Sequence, residues 1–387
     1  MKKILALVLA VAMVACMFVG CAGEPEETTP ATTTTPATTP DTTPDTTPDT
    51  APVTSGDAMK VAFVTDVGNI DDHSFNQYSY EGVTKFAEAN GLESTYYKPA
   101  GETDQDRIDS IQQAIDDGYG VIVMAGYLFG PAVYQGATAN PDVLFLALDV
   151  TTRDLGSDTV PANIALICYQ EEQSGYLAGY AAVKEGYTKL GFTGGGGGEN
   201  PACCRFGYGY VQGAQAAAAE MGVNVEMKYS WEYGSSFSAS PELQTMLNGW
   251  YTAGTEVIFA CGGSMCQSAF AAAGANDGVV IGVDVDQSSQ SEYVITSATK
   301  GLREAVMVAC DVFYSGKWDE VGGNCTTLGA AEDAVGLPTA TWSMEKFSVE
   351  DYNKLFESLK NGSVVVDRDY ANGLNDGAFA NVKLEIV

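Results

Sequence analysis

Along most of the chain, short unbroken apolar runs alternate with longer segments in which apolar residues recur at helical spacing. Residues 60–65 (Lys-Val-Ala-Phe-Val-Thr) form the first run and end at Asp66. Such a run suits a parallel strand covered on both faces. Residues 75–89 read as a helix stopped by Asn90-Gly91. The same rhythm predicts strands at 94–98, 121–125, 143–149 and 163–169, with helices at 104–116 and 174–186. A second series follows, with strands near 190–193, 223–229, 257–260 and 279–284 and helices at 209–221, 241–253 and 267–275. Two successive βαβ series imply an α/β chain of two doubly wound lobes. The pattern returns 294–297 and a helix at 301–314 to the first lobe, and the C-terminal stretch to the second.

The N-terminal residues do not share this rhythm. Lys2 and Lys3 precede an apolar stretch from Ile4 to Val19, a charged start and a hydrophobic core too short for a spanning helix. Phe18-Val19-Gly20-Cys21 then sets a small residue before a cysteine, resembling the lipobox at which bacterial lipoproteins are cleaved and acylated, here on Cys21. Met13-Val14-Ala15-Cys16 is the weaker alternative, because apolar residues continue beyond it. A plain secretion signal with an incidental Cys21 is the blander one. Residues 21–58 are rich in Thr, Pro, Ala and Asp, with the repeat Thr-Thr-Pro-Asp at 42–45 and 46–49. They have almost nothing to bury and read as a solvated, semi-stiff tether. The expected organisation is a signal peptide at 1–20, a tether at 21–58, a first lobe at 59–170 and 294–320, and a second at 171–293 and 321–387.

Charge narrows the partners. The 387 residues carry 19 Lys+Arg against 50 Asp+Glu, a formal net charge of -31. Leader and tether hold two lysines and seven acids, so residues 59–387 keep 17 basic and 43 acidic residues, a net of -26. A body this acidic repels nucleic acid and anionic lipid, both of which need clustered Lys and Arg. Catalytic triads and histidine metal sites have one candidate, His73, the chain's single histidine. No cofactor and no metal are expected. The body's seven cysteines, Cys168, Cys203, Cys204, Cys261, Cys266, Cys310 and Cys325, are odd in number, which in an exported chain leaves at least one thiol free or intermolecular. Small buried thiols are the simplest reading of them.

In parallel sheets ligands sit beyond the carboxyl ends of the strands. Those ends carry Thr65-Asp66-Val67-Gly68-Asn69-Ile70-Asp71-Asp72-His73-Ser74-Phe75-Asn76-Gln77, then Gly126 and Asp149, and in the second series Gly194–Gly198, Cys261-Gly262-Gly263 and Gly282-Val283-Asp284-Val285-Asp286-Gln287. The glycine run lacks a following Lys-Ser/Thr and so lacks the specific phosphate-loop motif. Asp284 and Asp286 alternate with valines and offer too few oxygens for a calcium cage.

The first of these strings, with Phe206-Gly207-Tyr208-Gly209-Tyr210, Gly262-Gly263 and the Gly282–Gln287 string, resembles the basic membrane lipoprotein family, the PnrA-like substrate-binding proteins of ABC transporters. The resemblance spans nearly all of 59–387. It departs from the family's usual pattern at Asn69, where glycine is common, and at His73, where a basic residue is. It implies a type I periplasmic-binding-protein fold, a hinged cleft, a nucleoside ligand of purine or other type, ABC permease subunits as partners, and a lipid-anchored extracytoplasmic monomer that is not an enzyme.

The same resemblance assigns roles. Phe75 stacks on the base. Its partner on the other lobe is Phe259 as first choice, with Phe206 second. Asp66 and Asn76 address base edges, Asp284 and Lys300 the ribose, Gly262 and Gly263 let backbone come close to the ligand, and Gly126 is a further ligand-binding position. Blander roles stand beside these: Asp66 capping a helix, Phe75 packing in the core, and Asp71 and Asp72 bracing their loop. Two other functions stay open on the residues alone, a binding protein for a sugar or signalling molecule and a nucleoside hydrolase built on Asp66, Asp71 and Asp72.

Overall fold

The computed structural model describes residues 59–374 and 378–387. The signal peptide, the tether, Cys21 and Cys16 lie outside the described residues.

The first lobe is laid down as β1 (Lys60–Val64), α1 (Phe75–Asn90), β2 (Ser94–Tyr97), α2 (Asp104–Asp116), β3 (Tyr119–Ala125), α3 (Gly130–Ala139), β4 (Leu144–Leu148) and β5 (Ile164–Tyr169). The chain then crosses over and builds α4 (Glu171–Glu185), β6 (Lys189–Gly194), α5 (Pro201–Met221), β7 (Val225–Ser230), α6 (Pro241–Thr252), β8 (Val257–Cys261), α7 (Cys266–Asn276), β9 (Val279–Asp284) and β10 (Val294–Lys300). It continues with α8 (Leu302–Tyr314), β11 (Asn324–Leu328), β12 (Val335–Gly336), α9 (Val349–Lys360) and β13 (Val382–Ile386). The first sheet runs β11-β5-β4-β3-β1-β2 and the second β12-β10-β9-β8-β6-β7-β13. Every pairing is parallel except that of β12 with β10. Buried strands such as Val61–Val64 and Val257–Cys261 show no hydrophobic alternation because helices cover both faces of each sheet.

Two assignments of the sequence reading are corrected. The strand beginning at Val294 stays in the second sheet, with Thr296 opposite Ile281 and Thr299 opposite Asp284. Only α8 returns to the first lobe, where it packs against α1. Conversely β11, within the stretch 321–387 assigned to the second lobe, pairs with β5 in the first sheet. The 285–293 connection carries no helix. Parallel neighbours are usually joined by a longer helical crossover, and its absence made the next strand look like a change of lobe. The chain therefore passes between lobes three times, after β5, β10 and β11. The C-terminal strand β13 joins β7 in the second sheet.

Helix starts follow capping chemistry. α5 begins at Pro201 rather than Gly209, since the Asn200 side chain accepts from the Cys203 amide at 2.9 Å and Pro sits in the first turn. The α4–α5 pair is packed through four glycines. A Cβ on Gly175, Gly179, Gly209 or Gly213 would come within 2.0 Å of a backbone oxygen on the other helix. These helices join the apolar faces of the two sheets into one continuous core.

Candidate ligand-binding site

Two rims of strand ends face each other across a cavity of about 840 Å3, solvent at its mouth included. From the first lobe come Asp66 after β1, Gly126 after β3 and Asp149 after β4; from the second come Cys261–Gly263, Asp284 and Lys300 at the ends of β8, β9 and β10. Asp149 and Asp284 leave their strands with φ of 56° and 67°, a left-handed turn that Asp tolerates better than most residues. Gly126 has φ 117°, and a Cβ there would sit 2.9 Å from Asp66 Oδ2, so this backbone can approach the carboxylate only as glycine.

The β1–α1 loop is held by its own acids. Asp72 is buried and accepts from the backbone amides of Ser74 (2.9 Å), Gln77 (3.0 Å) and Asn76 (3.0 Å), and from the Asn76 side-chain amide (3.1 Å). It therefore caps α1, as its bracing reading expects, in place of Ser74, whose own side chain makes no cap. Ser74 is thereby free to donate to Asp284 Oδ2 across the cleft at 2.7 Å. Asn76 Nδ2 also donates to Asp66 Oδ1 at 2.9 Å. Asp66 thus bonds to Asn76 inside the loop and lines the cavity as well. Burial pushes its carboxyl up to about 6, against the pull of the Gly68 amide and Asn76.

Lys300 organises the other wall. Its Nζ lies 2.5 Å from Asp149 Oδ2 and 3.7 Å from both Asp284 Oδ1 and Glu171 Oε1. It stands 4.7 Å from the centre of the Phe75 ring and 5.7 Å from that of Phe206. Burial alone would lower this ammonium, but the three carboxylates outweigh it and hold Lys300 above its ordinary value. Burial pushes Asp149 up to about 6, with Lys300 opposing. Burial raises Asp284 as well, with Lys300 and Ser74 opposing. Beneath them the Arg205 Nε–Glu171 Oε2 pair at 2.6 Å joins α5 to the start of α4. Asp149 Oδ1 is buried without a hydrogen-bond partner, an acceptor in the cavity wall.

Of the residues singled out from sequence, Asp66, Phe75, Asn76, Gly126, Gly262, Gly263, Asp284 and Lys300 line this one cavity. Phe259 does not. It is fully buried on β8 and packs edge-on against Phe192, Phe206 and Tyr210 with ring centres 5.3–6.0 Å apart. Its side chain points to the face of the sheet that α5 covers, whereas the cleft lies beyond the strand end. Phe206, the second choice, does reach the cavity. So does Phe237, which sequence reasoning missed; an aromatic ring set among Ser235, Ser236 and Ser238 in a loop was its available signal.

Residues 59–369 match the model of the Bmp family, the PnrA-like ABC transporter substrate-binding proteins. The chain belongs to that family. Its members are solute-binding proteins rather than enzymes. This Bmp chain is 28% identical over 308 residues to an ABC transporter nucleoside-binding protein of Lactococcus lactis, covering 73% of this chain and 83% of that protein. It is likewise 28% identical to basic membrane protein B of Borreliella burgdorferi, over 74% of this chain and 83% of that one. An ABC transporter solute-binding protein from Aeropyrum pernix superimposes with a TM-score of 0.64 at 21% identity, over 80% of this chain and 88% of its own. That likeness establishes the periplasmic-binding-protein fold.

Proposed function

We propose that this Bmp chain is the lipid-anchored, extracytoplasmic component of an ABC importer that captures nucleosides, the purine class foremost, between its lobes and delivers them to membrane permease subunits. The observation that carries this reading is the convergence of Phe75, Lys300 and Asp284 in one cavity. A flat ring offers a base roughly 1–3 kcal/mol of stacking. The charged carboxylate and ammonium beside it suit the donor and acceptor faces of a ribose diol. Asp66 and Asn76 address the base edge, and Phe206 or Phe237 supplies a second apolar wall. The nucleoside-binding description of the Lactococcus relative supports the same ligand class.

Electrostatics favours the uncharged nucleoside over its phosphates. Lys300, the one cationic side chain among the described residues lining the cavity, already faces three carboxylates. A phosphate there would meet acids rather than a free cation. Anchoring rests on Cys21 in its lipobox-like setting. No helix among the described residues is long and apolar enough to cross a membrane, and acyl chains at Cys21 would hold the body to the surface instead. The reading supports a monomer that binds neither nucleic acid nor a cofactor.

A thermal-shift panel of nucleosides, free bases, nucleotides and sugars tests the ligand class, because a bound ligand raises the melting temperature by mass action. Stabilisation by nucleosides alone, confirmed as stoichiometric by calorimetry, is the expected result. Stabilisation by a sugar and by no nucleoside would overturn the proposal.

A further inference from the structure

Some of the bonds between the lobes leave the cavity residues out. His73 sits one residue before the Ser74 cap of α1, so its carbonyl has no place in the helix ladder. Its backbone is left-handed, with φ of 54°, and Asp72 holds the Ser74 amide that follows at 2.9 Å. A trans peptide sets its N–H and C=O on opposite sides. With that N–H turned into its own loop, the His73 carbonyl faces out of it. There it accepts two side-chain amides of the second lobe, Gln290 Nε2 at 3.0 Å and Gln287 Nε2 at 3.3 Å.

Both glutamines lie on the connection between β9 and β10, and each is turned toward His73 by what holds its other end. Gln287 is fully buried. Its Oε1 accepts from the Val283 amide at 3.0 Å, and its backbone amide donates to Ser297 Oγ at 3.1 Å. Glycine at 282 leaves room for this, since a Cβ there would stand 2.6 Å from Gln287 Oε1. Gln290 Oε1 accepts from Gln267 Nε2 on α7 at 2.9 Å. With both acceptor ends committed inside the second lobe, the amide hydrogens are what face the first. His73, Gln287 and Gln290 do not line the cavity, yet His73 lies two residues from Phe75 and Gln287 three from Asp284.

We infer that Gln287 and Gln290 are positioning residues that latch the lobes shut through the His73 carbonyl, with or without a ligand, and so slow the release of a ligand they do not touch. Opening the cleft breaks both bonds at once. Losing one neutral hydrogen bond shifts such an equilibrium by about two- to ten-fold. The latch differs from the Lys300–Asp149 and Ser74–Asp284 bonds, whose Lys300 and Asp284 line the cavity and are open to competition from the ligand. It is also built of uncharged groups, so neither salt nor pH near neutrality weakens it.

The release rate rests on the nucleoside reading above; the closure does not, and the test separates them. Gln290→Met, at a half-buried position, keeps the length of the side chain and removes the donor. In stopped-flow measurements on the full chain, this variant should release adenosine about two- to ten-fold faster than wild type, with an association rate no lower. Small-angle X-ray scattering without ligand should give it a larger radius of gyration, and Gln287→Met/Gln290→Met a larger one still. A wild type that binds no adenosine would count against the nucleoside reading, and the scattering would still decide the latch. A release rate equal to wild type would overturn the inference, as would slower association with unchanged release or a Gln290→Met radius of gyration equal to wild type.

Discussion

Replacing Lys300 by methionine keeps the bulk of the stem and removes the charge, and its consequence follows from what surrounds the ammonium. The side chain is 2% exposed, with Asp149 at 2.5 Å and Asp284 and Glu171 at 3.7 Å. Deleting one partner of a buried ion pair costs about 3–5 kcal/mol, because the remaining charge stays desolvated. Here three acids face the deletion, so the upper part of that range applies at neutral pH. Part of the loss is recoverable through protonation. Asp149 sits at about 6 although Lys300 pulls it down, so without the lysine it titrates higher. Its folded value exceeds its unfolded one; the native state therefore binds more protons than the unfolded state between the two, and stability rises as pH falls through that window. The net shift from 3.8 to about 6, with the pull of Lys300 already included, corresponds to roughly 3 kcal/mol against the charged carboxylate at neutral pH, at about 1.4 kcal/mol per unit. Urea unfolding of Lys300→Met should then show a large deficit against wild type near pH 7 and a much smaller one near pH 5. An equal deficit at both values, or one below about 1 kcal/mol at pH 7, would refute the ion-cluster reasoning.

Three further outcomes follow from the same geometry. Phe75→Ala should weaken nucleoside binding ten-fold or more by calorimetry if the ring stacks on the base, at roughly 1–3 kcal/mol per stack; unchanged affinity would place Phe75 outside the contact. Asp284→Asn should penalise nucleosides more than free bases, because the Ser74 bond can persist while the charge-assisted bonds to hydroxyls weaken; equal losses would move the contact off the ribose. Gly209→Ala would set a Cβ 2.0 Å from the Glu172 carbonyl oxygen, so the α4–α5 pair must separate. A destabilisation of about 1–3 kcal/mol is expected from such overpacking, and a denaturation midpoint equal to wild type would show that the pair yields freely.

What could be read from the chain, and what could not, divides by the range of the interaction. The strand ends are local signals: an apolar run stops, and a carboxylate, amide or glycine follows. Asp66, Gly126, Gly262 and Asp284 were visible on that basis, and Lys300 through the family resemblance. Phe259 failed because a residue within a buried strand can face either covered surface, and only the packed sheet decides which. Phe237 was missed because its loop reaches the cavity by tertiary placement, with φ of 56° and its carbonyl accepting from the Met265 amide at 3.0 Å. The lobe assignment of β10 and β11 failed for the same physical reason. Apolar pattern says that a strand is buried, but hydrogen-bonded register says beside which neighbour, and one residue of pattern is shared by every candidate edge. The misassigned strand is also the one that ends at Lys300. Because β10 belongs to the second sheet while Asp149 belongs to the first, the Lys300–Asp149 pair is a bond between lobes, as is Ser74–Asp284. Correcting the topology thus changes what the cluster does. The charges that line the cavity are the same charges that hold its two walls together, so a ligand that engages Asp284 or Lys300 acts on the closure of the cleft as well as on its own affinity.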